Sequence, residues 1–143
     1  MIDIYGTPAV IRPMKEGAFH YTALYYTDGH EQNAEWHIRT VMKQIAESRG
    51  IDLRLLRKRR KAMPLDLHEG YVLVPVKLAE TLPMQGYADL RYVEAIEKAP
   101  DRTGAILYAA GRAFPVYEPF RNLAERYADA CLTYGLFYGS ENK

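Results

Sequence analysis

The chain has 143 residues and a formal net charge of +1, with 48% hydrophobic and 26% charged residues. These values are typical of one globular domain, here predicted to span residues 1–143, and they exclude disordered and fibrous proteins. No apolar run approaches the roughly 18 residues of a membrane span, and the amino terminus lacks the apolar core of a signal peptide. We therefore expect a cytoplasmic protein without a membrane partner.

The first third of the chain, residues 1–33, is predicted to form strands. Residues 7–14 and 18–27 are rich in β-branched and aromatic side chains, and Asp28-Gly29 is a turn signal after them. Because proline cannot donate a ladder hydrogen bond, Pro8 and Pro13 predict that the first strand is either an edge strand or a poor one.

Residues 34–63 are predicted to form a helical, basic segment. Asn33 is expected to cap a first helix, whose apolar stripe begins at Trp36 and ends at Ile45. Gly50 suits the position just after the end of that helix.

Asp52 is expected to cap a second helix, which begins at Leu53 and ends before Pro64. Residues 36–64 contain nine basic and two acidic side chains, so their net charge is +7, while the segments on either side are each net −3. A basic segment of this density is the usual electrostatic footprint of a polyanion partner.

The second half of the chain is predicted to return to strands over residues 70–117 and to end in a helix over residues 118–134. Residues 70–77 form an apolar run that predicts a strand covered on both faces apart from Pro75, and residues 89–98 alternate like a single strand. Gly111 predicts a tight hairpin turn. The order of elements predicts an α+β fold with a mainly antiparallel sheet, two central helices and a C-terminal helix.

No sequence pattern supports catalysis. Glycine-rich phosphate loops are absent, and none of the four histidines has metal-ligand spacing. Cys131 lies on the apolar stripe of the last helix, where a buried structural thiol is expected. We therefore predict a protein that is not an enzyme and that has no cofactor and no metal.

The strongest local signal is the basic run at the end of the second predicted helix. Its members are Arg54, Arg57, Lys58, Arg59, Arg60 and Lys61. A solvated helix face is one interpretation, but ordinary surfaces mix both charge signs. The arginine-rich composition favours phosphate forks or entry into a narrow minor groove. Arg39, Lys43 and Arg49 on the preceding helix extend the same patch.

From about residue 41 to residue 132 the chain resembles the competence transcription factor ComK family of Gram-positive bacteria. The matching features are a helix that ends at Gly50, the basic segment with Pro64, an apolar strand that closes on Pro75, and a hairpin at residues 106–116 that leads into the last helix. The ending is also similar to LytTR-type DNA-binding domains. The chain departs from the family pattern in lacking its cysteine near the end of the first helix and its Cys-x-Trp before the central strand.

The resemblance implies a double-stranded DNA-binding transcription regulator that acts as a homodimer. LytTR-like domains present loops to the DNA groove, which makes Lys77, Arg102 and Arg112 secondary DNA-binding candidates. The family also implies a proteolytic adaptor as a partner. Two alternatives from other classes stay open: a protein-interaction module whose basic helix docks an acidic partner, and a small-molecule-sensing domain with a tyrosine-lined pocket.

Overall fold

The structure is a computed structural model that describes residues 4, 6–56, 63–101 and 103–135. The strands in these ranges are β1 Val10–Glu16, β2 Phe19–Tyr25, β3 Glu31–Ala34, β4 Leu65–Asp66, β5 Val72–Val76, β6 Gly86–Asp89, β7 Val93–Lys98, β8 Ala105–Ala109 and β9 Arg112–Val116. The helices are α1 Ile38–Ser48, α2 Leu53–Leu56 and α3 Phe120–Tyr134, and a 3-10 turn covers Leu90–Tyr92. All pairings between these strands are antiparallel, and the helices lie outside the sheets. The predicted α+β class is therefore confirmed.

The strands form two sheets. One has six strands in the order β3-β2-β1-β6-β5-β4, and the other has three in the order β7-β8-β9. Neighbouring residues of a strand point to opposite faces of its sheet. In β1, Ile11 therefore packs among the buried residues of α1, while Val10 packs against Leu107 and Phe114 of the three-stranded sheet. The six-stranded sheet is thus the middle layer of the fold.

Helix α3 lies on the same face of the six-stranded sheet as the three-stranded sheet. Ala130 and Cys131 pack against Val72 and Val74 of β5, so Cys131 is buried as expected. All five residues of β5 are buried, which confirms that this strand is covered on both faces, and the exception expected at Pro75 is wrong.

A buried ion pair holds α3 to the end of β5. Arg126 lies 2.8 Å from Glu118, with side chains that are 14% and 10% exposed. Arg126 also donates to the carbonyl of Pro75 at 2.7 Å, and Glu118 accepts from the backbone N–H of Lys77 at 3.0 Å. Since both charges gain further hydrogen bonds, the desolvation cost of burying them is offset.

Two predicted turns are confirmed by their backbone angles. Ala110 and Gly111 both have positive φ, at 53° and 75°, as a tight two-residue hairpin between β8 and β9 requires. Gly50 has φ 75° directly after the last cap residue of α1. This left-handed conformation favours glycine and ends the helix.

The predicted edge position of the first strand is wrong. β1 lies between β2 and β6. Its pairing with β6 covers only Val10 and Ile11, so Pro13 lies beyond the part of β1 that needs a donor on that side.

The predicted start of the first helix is also wrong. Asn33 does not cap a helix, because residues 31–34 form β3 and pair with β2. The helix begins at Ile38, and the Nδ1 atom of His37 accepts its capping hydrogen bond from the N–H of Arg39 at 3.1 Å. Trp36 precedes the helix and is 43% exposed, so it is not part of the buried stripe.

Residues 89–98 do not form one strand. Asp89 ends β6 in the larger sheet and Val93 begins β7 in the smaller one. The carboxylate of Asp89 accepts from the N–H of Arg91 at 3.0 Å and caps the 3-10 turn between them. This capped turn moves the chain from one sheet to the other. No helix in the described ranges is long and apolar enough to cross a membrane.

Candidate nucleic-acid interface

Helix α1 has one buried face and one charged face. Its apolar residues Val41, Met42 and Ile45 are buried against the six-stranded sheet. Arg39 and Lys43 are four residues apart, so they lie on the same exposed side of the helix. Within the described residues, neither charged group makes a hydrogen bond or an ion pair. Both cations are therefore free to bind an anion.

The connection between α1 and α2 places a second set of charges beside this face. Gly50 donates to the carbonyl of Glu47 at 3.0 Å, and Ile51 donates to that of Ala46 at 2.9 Å. These bonds turn the chain back, and Leu53 is buried in the same core cluster as α1. α2 consequently packs beside the C-terminal half of α1.

The two helices enclose a groove of about 590 Å³. Its charged lining residues are Arg39, Lys43, Glu47, Asp52 and Arg54. Three cations and two anions give this lining a net charge of +1. None of the residues that line the groove is a tyrosine, so it does not match the tyrosine-lined pocket of the small-molecule alternative.

Asp52 and Arg54 form a local fork in the groove. The Oδ1 atom of Asp52 accepts from the backbone N–H of Arg54 at 3.0 Å, which confirms the predicted capping role of Asp52. The same carboxylate accepts from Nε of Arg54 at 3.2 Å and from Nη2 at 3.0 Å. These hydrogen bonds, first of all those of the side chain, lower the pKa of Asp52 and raise the pKa of Arg54.

Arg49 and Lys77, two other candidates from the sequence, use their charged groups inside the fold. Arg49 donates to the carbonyls of Leu67 and His68, both at 2.7 Å. Lys77 donates to the carbonyls of Ala79 at 3.1 Å and Leu82 at 2.8 Å. These bonds hold loops in place, so the geometry assigns both residues a positioning role within the fold.

Arg112 lies away from the groove. Its guanidinium group is 3.5 Å from Glu31 and packs over the ring of Tyr25 at 5.1 Å. It is therefore not brought together with Arg39, Lys43 and Arg54. The candidates that fall outside the described residues are Arg57, Lys58, Arg59, Arg60, Lys61 and Arg102.

Two imidazole rings lie next to each other at the N-terminus of α1. The ring centroids of His20 on β2 and His37 are 5.0 Å apart. Burial, followed by the charges of His20 and Arg39, lowers the pKa of His37. The neutral ring is the form that can accept the capping hydrogen bond from the N–H of Arg39.

Sequence reasoning missed a buried polar cluster on the same side of the sheet. The ring of Tyr71 lies 5.0 Å from the guanidinium carbon of Arg49 and 5.9 Å from that of Arg91. Its hydroxyl donates to the carbonyl of Pro8 at 2.8 Å. Burial, followed by the charge of Asp89, raises the pKa of Tyr71. The cluster ties the end of α1 to the sheet.

A repeated tripeptide is the sequence signal that could have identified Asp89 and Arg91 of this cluster. The tripeptide Asp-Leu-Arg occurs twice, at residues 52–54 and 89–91, and each copy forms the same capped fork. Arg49 also holds an unusual turn, because its guanidinium group donates to the carbonyl of His68. In this turn His68, Glu69 and Gly70 all have positive φ. This backbone conformation is costly for the first two residues and depends on the surrounding hydrogen bonds.

The chain matches no protein-family model, no curated protein and no solved structure. Within the described ranges, no group of three or more histidine, cysteine or carboxylate residues is arranged to hold a metal ion.

Proposed function

We propose that this chain is a non-enzymatic, double-stranded DNA-binding transcription regulator, and that its DNA-binding surface is the exposed side of α1 and α2. The observation that carries the proposal is the groove in which Arg39, Lys43 and Arg54 come together. The first two come from α1 and the third from α2, so only the fold brings these charges together.

The sequence extends this surface beyond α2. Arg57, Lys58, Arg59, Arg60 and Lys61 follow α2 directly in the chain. Together with the groove they supply enough cations for several phosphate contacts, which is how most affinity for duplex DNA arises. The resemblance to the ComK family supports the same partner and adds a homodimer, a cytoplasmic location and a proteolytic adaptor to the proposal.

The second candidate is a protein-interaction module that binds an acidic protein through the same surface. The mixed lining of the groove favours it, because Glu47 makes no ion pair with a described residue and can pair with a cation on a protein partner. A DNA backbone offers no such cations. The two candidates therefore differ in whether the surface binds a nucleic acid at all.

Fluorescence anisotropy distinguishes the two candidates. Purified protein is titrated into random and A·T-rich duplexes at roughly 50 and 200 mM salt, where several phosphate contacts predict a loss of orders of magnitude in affinity. The double variant Arg57→Glu, Arg60→Glu is expected to lose binding. If the wild-type protein binds no duplex at the lower salt concentration, the DNA proposal is wrong and the acidic protein partner becomes the better explanation.

A further inference from the structure

We infer that Arg54 recognises a guanine base in the major groove, and that Asp52 holds its guanidinium group in the orientation this contact needs. The inference rests on the proposed DNA-binding function and deepens it, because it separates base recognition from backbone binding within one groove. It follows from which edge of the guanidinium group is occupied, from the charge of Asp52 and from a comparison with Arg91.

A guanidinium group has two edges that can each bind a pair of acceptors. One edge is formed by Nε and Nη2, and Asp52 occupies it at 3.2 and 3.0 Å. The other edge, formed by Nη1 and the second hydrogen of Nη2, makes no hydrogen bond to any described residue. The Arg54 side chain is 87% exposed, so this free edge is accessible to a ligand. Its two parallel donors match the O6 and N7 acceptors of guanine.

The charge of Asp52 favours a base over a phosphate at this position. A phosphate bound to Arg54 would lie close to the Asp52 carboxylate, and the two like charges would repel each other. The edge of a guanine is neutral and meets no such repulsion. Arg39 and Lys43 have no ion-pair partner among the described residues, so they suit the phosphates on either side.

The fork also fixes the position of Arg54. Its backbone N–H and its side chain bind the same carboxylate, which restricts both the first turn of α2 and the side-chain rotamer. An arginine held in this way loses less conformational entropy when it binds, and bidentate recognition depends on such a fixed orientation.

Arg91 shows what the same fork does when the guanidinium group packs against aromatic rings. Its carboxylate partner Asp89 is fully buried, and its guanidinium carbon lies 5.9 Å from the ring of Tyr71 and 5.4 Å from that of Tyr92. These contacts show that Arg91 stabilises the fold. Arg54 has no ring contact among the described residues and its side chain is 87% exposed, so its guanidinium group is accessible to a ligand.

The test is a binding selection from a duplex library with a randomised central segment, followed by sequencing of the bound DNA. Wild-type protein is expected to enrich guanine at one or more positions. Arg54→Lys keeps the charge and removes the bidentate fork, so it should reduce that enrichment by about tenfold or more and change affinity for random duplex only slightly.

Two further variants give the comparison. Asp52→Asn should strengthen binding to random duplex, because it removes a negative charge, and should weaken the guanine preference, because it loosens Arg54. Arg121→Lys, at an exposed position of α3 outside the groove, is the matched control, and it should leave the base preference unchanged. Circular dichroism melts confirm that each variant is folded.

Each outcome separates the inference from the proposed function. If the wild-type protein binds no duplex, the proposed function fails. If it binds duplex without any base preference, or if Arg54→Lys keeps the guanine enrichment, the assignment of Arg54 is wrong and the proposed function stands. Loss of the guanine enrichment in Arg54→Lys, with retention in Arg121→Lys, supports the assignment.

Discussion

The two Asp-Leu-Arg segments have the same local structure and different surroundings. In both, the aspartate accepts from the backbone N–H two residues later, and the arginine forms a fork with the same carboxylate. Asp89 is fully buried and Arg91 is 34% exposed, whereas Asp52 and Arg54 are 43% and 87% exposed. The comparison teaches that the tripeptide determines the fork, while burial decides whether the fork packs into the fold or stays accessible to solvent.

The largest expected effect is at the buried copy. Asp89→Ala removes the cap of the 3-10 turn and leaves the Arg91 guanidinium without its anion, so we expect a loss of about 3 kcal/mol in the free energy of unfolding. Asp52→Ala makes the same change in the exposed copy and should cost much less, since water replaces the lost contacts. Urea denaturation of both variants checks this. Equal losses would contradict the difference between the two copies.

A smaller effect is expected at the aromatic ring beside the buried fork. Tyr71→Phe keeps the ring that contacts Arg91 and removes the hydroxyl that donates to the buried carbonyl of Pro8, which should cost about 1–2 kcal/mol. Tyr92→Phe is the control, because Tyr92 is half-exposed and its ring contact with Arg91 is kept. A chemical denaturation series compares them. If Tyr71→Phe is as stable as Tyr92→Phe, the hydroxyl has no role in stability.

The cap of α1 extends the comparison to an acceptor that titrates near neutral pH. Because the pKa of His37 is lowered from 6.5 in the folded protein, the unfolded chain binds a proton that the folded chain resists. The free energy of unfolding should therefore decrease as pH falls through about 6.5. The protection of the N–H of Arg39 against hydrogen exchange, relative to its intrinsic exchange rate, should decrease over the same range.

The variant His37→Asn isolates this effect, since asparagine is a good cap that does not titrate. Its free energy of unfolding should depend less on pH than that of the wild-type protein. Identical pH dependence in the two proteins would show that the cap does not respond to pH.

Much of the fold was predictable because local signals decided it. The hairpin at Gly111 has a turn that favours glycine, and the boundaries of α3 follow Pro119 and Gly135. The errors came from pairing between distant segments, which local patterns do not contain. Residues 31–34 became a strand because β2 was available as a partner, and Asp89 divided an alternating segment between two sheets.

The candidate site was predictable in its charge and not in its geometry. The sequence identified Arg39, Lys43 and Arg54 as cations in a basic segment, but it could not distinguish them from Arg49. Arg49 lies at the end of the same helix, and only the fold shows that its guanidinium group binds two loop carbonyls. Which cations are free is a tertiary property.

The most direct test of the central claim compares two charge reversals in duplex-binding titrations by fluorescence anisotropy at low salt. The double variant Arg39→Glu, Lys43→Glu changes the exposed side of α1. The variant Arg121→Glu changes an exposed residue of α3 that is paired with Glu125. We predict that the α1 variant loses most of its affinity for duplex DNA and that the α3 variant keeps nearly all of it. Equal affinities of the two variants would contradict the assignment of the α1 and α2 surface to DNA.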